Sequence, residues 1–403
     1  MNRTLMQRNG SWMTGQAEMN IQHRPEPHAI TMDKPSDPAA RRSTAHASAG
    51  QSSPGHSPGR SIGQRHIARA LWYVRPGVAE VRHEPLPALP PGQAQVRTLY
   101  SALSRGTERL VLAGAVPPGE YASMRAPLQT GDFPFPVKYG YCAIGVVEQG
   151  PPELVGRAVF CLHPHQDLFH APVTMLIPVP DGIPPKRATL AANMETALNA
   201  VWDSAASAGD RIVIVGAGIV GLMVAAVCAK LPGADVTVID VLSERRAIVE
   251  ALGATFSGPA DMAGSAAADG ARDADVIFHT SAHPAGLATA LACAGLEATV
   301  VEMSWYGTKP VEALLGGAFH SRRLRLISSQ VGQVSPGHRP RWDYRRRLTK
   351  ALDMLGDPVV GPVLDQLVTT EIAFTEAATA VPAALTGPAC GLAPVLRYGD
   401  VNQ

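Results

Sequence analysis

The stretch Arg211–Gly221, RIVIVGAGIVG, decides the fold. One arginine opens an all-apolar run that ends in Gly216-x-Gly218-x-x-Gly221, and Leu222–Ala229 continues without a charged side chain. A buried strand, a glycine turn and a buried helix account for this order. Gly216 allows the tight turn. Gly218 lets the backbone approach a pyrophosphate held at the helix N-terminus, and Gly221 lets the helix pack on the strand. Asp240 ends the next apolar strand, DVTVID, at the place where a carboxylate accepts ribose hydroxyls. The uncharged run Ile212–Ala229 also reaches the lower length limit for a membrane-spanning helix. The glycines interrupt its first half and Arg211 and Lys230 bound it, so the strand–turn–helix reading is preferred.

Downstream the pattern alternates: helix Val220–Leu231, strand DVTVID, helix Ser243–Ala251, strand DVIFHTS, helix Ala285–Ala294, then strands ATVVEMSW and LRLISSQVG. Such alternation predicts an α/β unit with a parallel sheet covered on both faces. Upstream, Pro184–Ser207 carries Ala, Leu and Met at helical spacing. Before it, ARALWYV, AEVRHEPLP, QAQVRTLYSALS, GYCAIGVVEQG, GRAVFCLHPH and VTMLIPVPDGIP read as short strands punctuated by turns and prolines, an all-β, barrel-like unit. A last helix, Trp342–Leu355, precedes mixed pieces to the C-terminus.

The chain has 403 residues, of which 46% are hydrophobic, enough for a large core. A net charge of +1 and 5% aromatics argue against nucleic-acid binding. Five cysteines without a CxxC spacing argue against a disulfide framework or a Cys-rich zinc module, and point to a reducing, cytoplasmic compartment. Residues 1–65 hold one aromatic, Trp12, no apolar periodicity and a Ser/Pro/Gly cluster over Ser48–Gly63. They are expected to form a disordered tail.

A β-rich unit, a dinucleotide unit and a return segment resemble the layout of the medium-chain dehydrogenase/reductase superfamily, over about residues 67–400. GYCAIGVVE resembles its GHExxGxVxxxG block and SALSRGTERL its strand carrying C-x-T-D. NMETALNAVWDSA resembles the helix leading into the cofactor domain, and FTEAATAVPAAL the late helix of the return. The SRGTE and GYCAxG pieces further resemble a zinc-lacking branch around bacteriochlorophyllide a dehydrogenase, which oxidises a hydroxyethyl side chain. The resemblance implies a GroES-like catalytic domain over 66–185, a Rossmann NAD(P)-binding domain over 186–335 and a return to the catalytic domain over 336–403. It also implies a homodimer joined through the last Rossmann strands, LRLISSQVG.

In zinc-dependent members the metal is held by Cys, His and Cys or Glu. Here those positions fall on Ser104 or Arg105, on Tyr141 and near Ala192, and Cys142 replaces the glutamate of GHE. The four-cysteine lobe has no counterpart between Phe160 and Pro178. A zinc-free member is therefore expected. Cys161, His163, His165 and His170 form the one cluster that could restore a metal, and a histidine-bearing strand edge is the competing reading.

Without a Lewis acid the protein must manage the alkoxide proton itself. The candidates are Tyr141 as proton relay, with Thr107, Glu108 and Glu195 as partners, against the alternatives of cavity filler and structural ion pairs. The expected cofactor-binding set is Thr196, Gly216, Gly218, Ile219, Val220, Gly221, Asp240, Arg245 and Ser281, and Asp240 favours NAD(H) over NADP(H). The implied activity is NAD(H)-dependent interconversion of a secondary alcohol and a carbonyl. A zinc-free quinone or enoyl reductase and a non-catalytic NAD(H)-binding subunit are the competing readings. The basic stretch Arg322–Arg347 is either an anion site at the cleft mouth or solvated charge.

Overall fold

The computed structural model describes residues 67–258, 271–368, 370–387 and 391–399. The tail expected over 1–65 lies outside them. The first region runs β1 (Ile67–Arg75), β2 (Val78–Pro85), β3 (Gln93–Ala102), α1 (Arg105–Leu112), β4 (Thr130–Gly131), β5 (Val137–Lys138), β6 (Ala143–Gln149), β7 (Ala158–Cys161), β8 (Leu168–Pro172) and β9 (Ile177–Pro178). Then follow α2 (Pro185–Ala188), α3 (Ala191–Ser204), β10 (Arg211–Val215), α4 (Ile219–Cys228), β11 (Asp235–Ile239), α5 (Arg246–Ala251), β12 (Thr255–Ser257), β13 (Ala274–His279), α6 (Pro284–Cys293), β14 (Ala294–Glu302), α7 (Ala318–Ser321) and β15 (Arg325–Ser328). The chain returns through α8 (Tyr344–Leu355), α9 (Val360–Asp365), β16 (Glu371–Ala373), α10 (Ala377–Thr386) and β17 (Val395–Arg397).

The dinucleotide unit is a six-stranded parallel sheet in the order β12-β11-β10-β13-β14-β15. Its strand order reverses between β10 and β13, the switch point at which such sheets bind ligands. Ile212, Val213 and Ile214 are fully buried, because α3, α4 and α6 cover the faces of the sheet. Packed between sheet and α3, α4 buries every residue from Gly221 to Cys228. This explains its unbroken apolar character. With 10 residues it spans about 15 Å at 1.5 Å per residue, half of a bilayer core. No helix among the described residues is long and apolar enough to cross a membrane.

The β-rich unit holds two sheets, β2-β1-β5-β4 and a larger one in which β3 pairs with β6, β8 and β17. Residues 395–397 thus close on residues 100–102, stitching the end of the chain to the strand that precedes the site.

Two expectations need correction. SALSRGTERL is not one strand: β3 ends at Ala102, and Arg105–Leu112 is helical. Glu108, Val111 and Leu112 are its buried residues, the i, i+3, i+4 face of a helix. The helix over Pro184–Ser207 is also interrupted, between Ala188 and Ala191, where the Thr189 hydroxyl donates to the Lys186 carbonyl at 2.6 Å.

Candidate active site

The glycine loop stands at the switch point. Gly216 has φ +111°, and a Cβ there would lie 2.8 Å from the Ser281 nitrogen, so the β10 and β13 loops touch across the crevice. A Cβ on Gly221 would lie 1.9 Å from the Gly216 carbonyl oxygen. Gly218, by contrast, faces open space. It is also the N-cap of α4, with no side chain capping the turn through Ile219 and Val220, so the first helical N–H groups stay available to an anion. Asp240 follows β11. Its Oδ2 accepts from Ala217 N at 2.5 Å and its Oδ1 from Leu242 N at 2.8 Å. The carboxylate therefore shapes the glycine loop. Open backbone, a helix N-terminus and a terminal acid fit a dinucleotide. Arg245 closes the short turn after Asp240. Thr196, on α3, donates its hydroxyl to the Ala192 carbonyl at 2.9 Å.

A second polar centre lies in the β-rich unit. The Tyr141 hydroxyl donates to Ser104 Oγ at 2.5 Å, joining two of the positions that the resemblance aligns with zinc ligands, Arg105 being the other choice for the first. Burial raises the Tyr141 phenol well above its usual range, while hydrogen bonding with Ser104 and Thr107 pulls the other way. Beneath it Glu108 is fully buried and accepts from Tyr73 Oη (2.6 Å), from the Ser104 backbone N–H (2.7 Å) and from His165 Nε2 (2.9 Å). The other His165 nitrogen meets Ser101 Oγ at 2.7 Å, which meets Tyr398 Oη at 2.8 Å. Tyr141, Thr107 and Glu108 therefore come together as expected positions. Glu108, however, is enclosed by donors and acts by fixing Ser104; it is not held by Arg105, whose guanidinium donates to the Gly387 and Gly391 carbonyls.

Glu195 is corrected. Its carboxylate forms a buried ion pair with Arg347 at 3.0 Å, and Arg347 also bonds Asn199 and the carbonyls of Val331 and Gln333. Burial raises the Glu195 carboxyl and Arg347 opposes that. The pair braces α3 against α8. Arg347, counted in the basic stretch, belongs to this brace and not to an anion site.

The histidine cluster disperses. His163 stacks on Phe169 with centroids 3.8 Å apart and bonds the Pro164 carbonyl, and burial pushes its imidazole down to about 3. His165 turns to Glu108, and His170 meets Gln95 at 3.2 Å. Burial pushes the Cys161 thiol up to about 12. Among the described residues no group of three His, Cys, Asp or Glu is placed to hold a metal. A neutral serine, a neutral phenol and an alanine at the zinc positions do not fit that ion's need for thiolate, imidazole or carboxylate.

Sequence reasoning missed Ser101, Tyr73 and Tyr398, which reach the site from distant strands. It also missed His279 and Glu302, although titratable residues ending two apolar parallel strands were a usable signal.

Residues 220–350 match the family of zinc-binding dehydrogenases, a stretch inside the dinucleotide unit and its exit. Over that stretch the chain is similar to zinc-type alcohol dehydrogenases. It is 31% identical over 160 residues to the 2-dehydro-3-deoxy-L-galactonate 5-dehydrogenase of Pseudoalteromonas atlantica, covering 39% of this chain and 46% of that one. The chain thus spans less than half the length of the curated relatives it matches. An alcohol dehydrogenase of Escherichia coli CFT073, solved with NADH, superposes with a TM-score of 0.65 at 15% identity over 82% of this chain and 99% of its own. A Sinorhizobium meliloti 1021 protein bound to NADP superposes with a TM-score of 0.65 at 16% identity, over 83% and 100%. The described chain thus shares the fold of these dehydrogenases.

Proposed function

We propose that the chain is a zinc-independent oxidoreductase that interconverts a secondary alcohol and a carbonyl compound with NAD(H). The observation that supports this reading is the Tyr141–Ser104 hydrogen bond, a pair of hydroxyls at positions that the resemblance aligns with metal ligands. When bound, the dinucleotide supplies the two-electron donor or acceptor, and Gly216, Gly218, Ile219, Val220, Gly221 and Asp240 would hold it. Tyr141 holds its proton across the neutral pH range and gives it to the carbonyl oxygen as charge develops there; in the reverse direction it receives that proton. Ser104 and Thr107 orient the phenol, and Glu108 fixes Ser104 through its backbone N–H.

Asp240 supports NAD(H), because a carboxylate at the end of β11 repels a 2′-phosphate. Asp240→Asn should narrow any preference for NADH over NADPH, read by the two dissociation constants. The exposed edge strand β15, paired only with β14, supports a homodimer through this sheet. The buried free thiols of Cys142, Cys161, Cys228 and Cys293 suit a reducing, cytoplasmic location.

The test is a panel of secondary alcohols and carbonyls followed at the nicotinamide absorbance, with elemental analysis of the purified protein. Turnover without stoichiometric zinc supports the reading. One tightly held zinc per chain overturns its metal-free part. Turnover only on conjugated C=C bonds gives the enone-reductase reading instead, and NADH binding without any turnover makes the chain a binding subunit.

A further inference from the structure

Ser281, His279 and Glu302 form a hydrogen-bonded line at the switch point. His279 is the last residue of β13 and Glu302 of β14, and the two are register partners in the parallel sheet. His279 is fully buried; its Nδ1 lies 2.7 Å from Glu302 Oε2 and its Nε2 lies 2.7 Å from Ser281 Oγ. Glu302 Oε1 accepts from Ser304 N at 2.8 Å, and the Tyr306 hydroxyl donates to Oε2 at 3.3 Å. Burial would raise the Glu302 carboxyl, but the hydrogen bonds from His279 and from Ser304 outweigh it, and its net shift is downward.

We propose that His279 and Glu302 are positioning residues that fix the polarity of the Ser281 hydroxyl, so that its oxygen faces the nicotinamide half of a dinucleotide as a hydrogen-bond acceptor. A carboxylate accepts only. It therefore draws the imidazole proton to Nδ1, leaving Nε2 as an acceptor, and Ser281 must spend its one proton on Nε2. The Ser281 oxygen also accepts the His283 N–H at 3.3 Å, which leaves one lone pair. Ser281 is exposed and stands beside Gly216 across the crevice. Asp240, on the β11 side, lies in the first mononucleotide half, which takes the adenosine. The β13–β14 side belongs to the second mononucleotide half, so the donor that Ser281 awaits is a hydroxyl or amide N–H of the nicotinamide half. Gly286, in the first turn of α6, makes room for this line: a Cβ there would lie 2.1 Å from Ser281 Oγ and 2.7 Å from His279 Nε2.

This inference rests on the dinucleotide reading of the crevice, and the experiment separates the two. NADH and ADP affinities of the full chain are measured by fluorescence and calorimetry for wild type, Ser281→Ala, Glu302→Gln and Gly286→Ala. Ser281→Ala should weaken NADH about fivefold to tenfold, the worth of one neutral hydrogen bond, and leave ADP unchanged. Glu302→Gln and Gly286→Ala should shift NADH in the same direction with ADP again unchanged. A merely structural role would lower both ligands together, and that result overturns the proposal. So does unchanged NADH affinity in Ser281→Ala when wild type binds. If wild type binds neither ligand, the dinucleotide reading fails and the proposal with it.

Discussion

The glycine crevice and the Tyr141 pocket are built on opposite plans. In the crevice the work is done by backbone: open space at Gly218, a forced close approach at Gly221 and unpaired N–H groups at the start of α4. All of it comes from one continuous stretch. The pocket is built from side chains brought from β1, β3, α1, the loops before β6 and before β8, and the C-terminal return: Tyr73, Ser101, Glu108, Tyr141, His165 and Tyr398. A backbone site is written locally and tolerates little change at a few glycines. A side-chain network is written across the whole chain and can change its chemistry while the fold stays.

The comparison breaks first at Tyr141. Tyr141→Phe removes one hydroxyl and keeps the ring, so turnover should fall about 10²–10⁴-fold with the melting temperature and NADH affinity unchanged. Turnover like wild type would make Tyr141 filler. Arg347→Met should do the reverse. It leaves Glu195 buried without its partner, so chemical denaturation should show a loss of about 3–5 kcal/mol, whereas a kinetic defect at unchanged stability would return Glu195 to the catalytic set.

Gly221→Ala tests the backbone plan. A Cβ 1.9 Å from the Gly216 carbonyl forces α4 off the strand, with a stability loss of about 1–3 kcal/mol and loss of NADH binding. The last test is a pH slope. The folded His163 imidazole is pushed down to about 3 from an ordinary 6.5. Below pH 6.5 the unfolded chain takes up a proton that the folded chain refuses, so stability falls as pH drops from 6.5 towards 3, by up to about 1.4 kcal/mol per unit. His163→Phe should remove that slope in acid denaturation and keep the stacking on Phe169.

How far each plan could be read from residues follows from the same contrast. The strand–turn–helix order, Asp240 and the parallel alternation were legible because glycine spacing and apolar period act over short separations. Glu195 was read as chemistry because a carboxylate stands beside a matched motif; its buried ion pair with Arg347, on a helix far along the chain, exists only in the fold. SALSRGTERL misled for a related reason: a resemblance to a strand outweighed the helical face of Glu108, Val111 and Leu112.

By itself, the sequence determined the α/β plan and the glycine cradle, because each depends on residue identity at short spacing. Tertiary structure alone decided that Tyr141 reaches Ser104, that Glu108 serves His165 and Tyr73, and that His279 links Glu302 to Ser281. These are contacts between strands and loops that fold side by side. Their hydrogen bonds form only where burial removes competing water and the sheet register sets the partners.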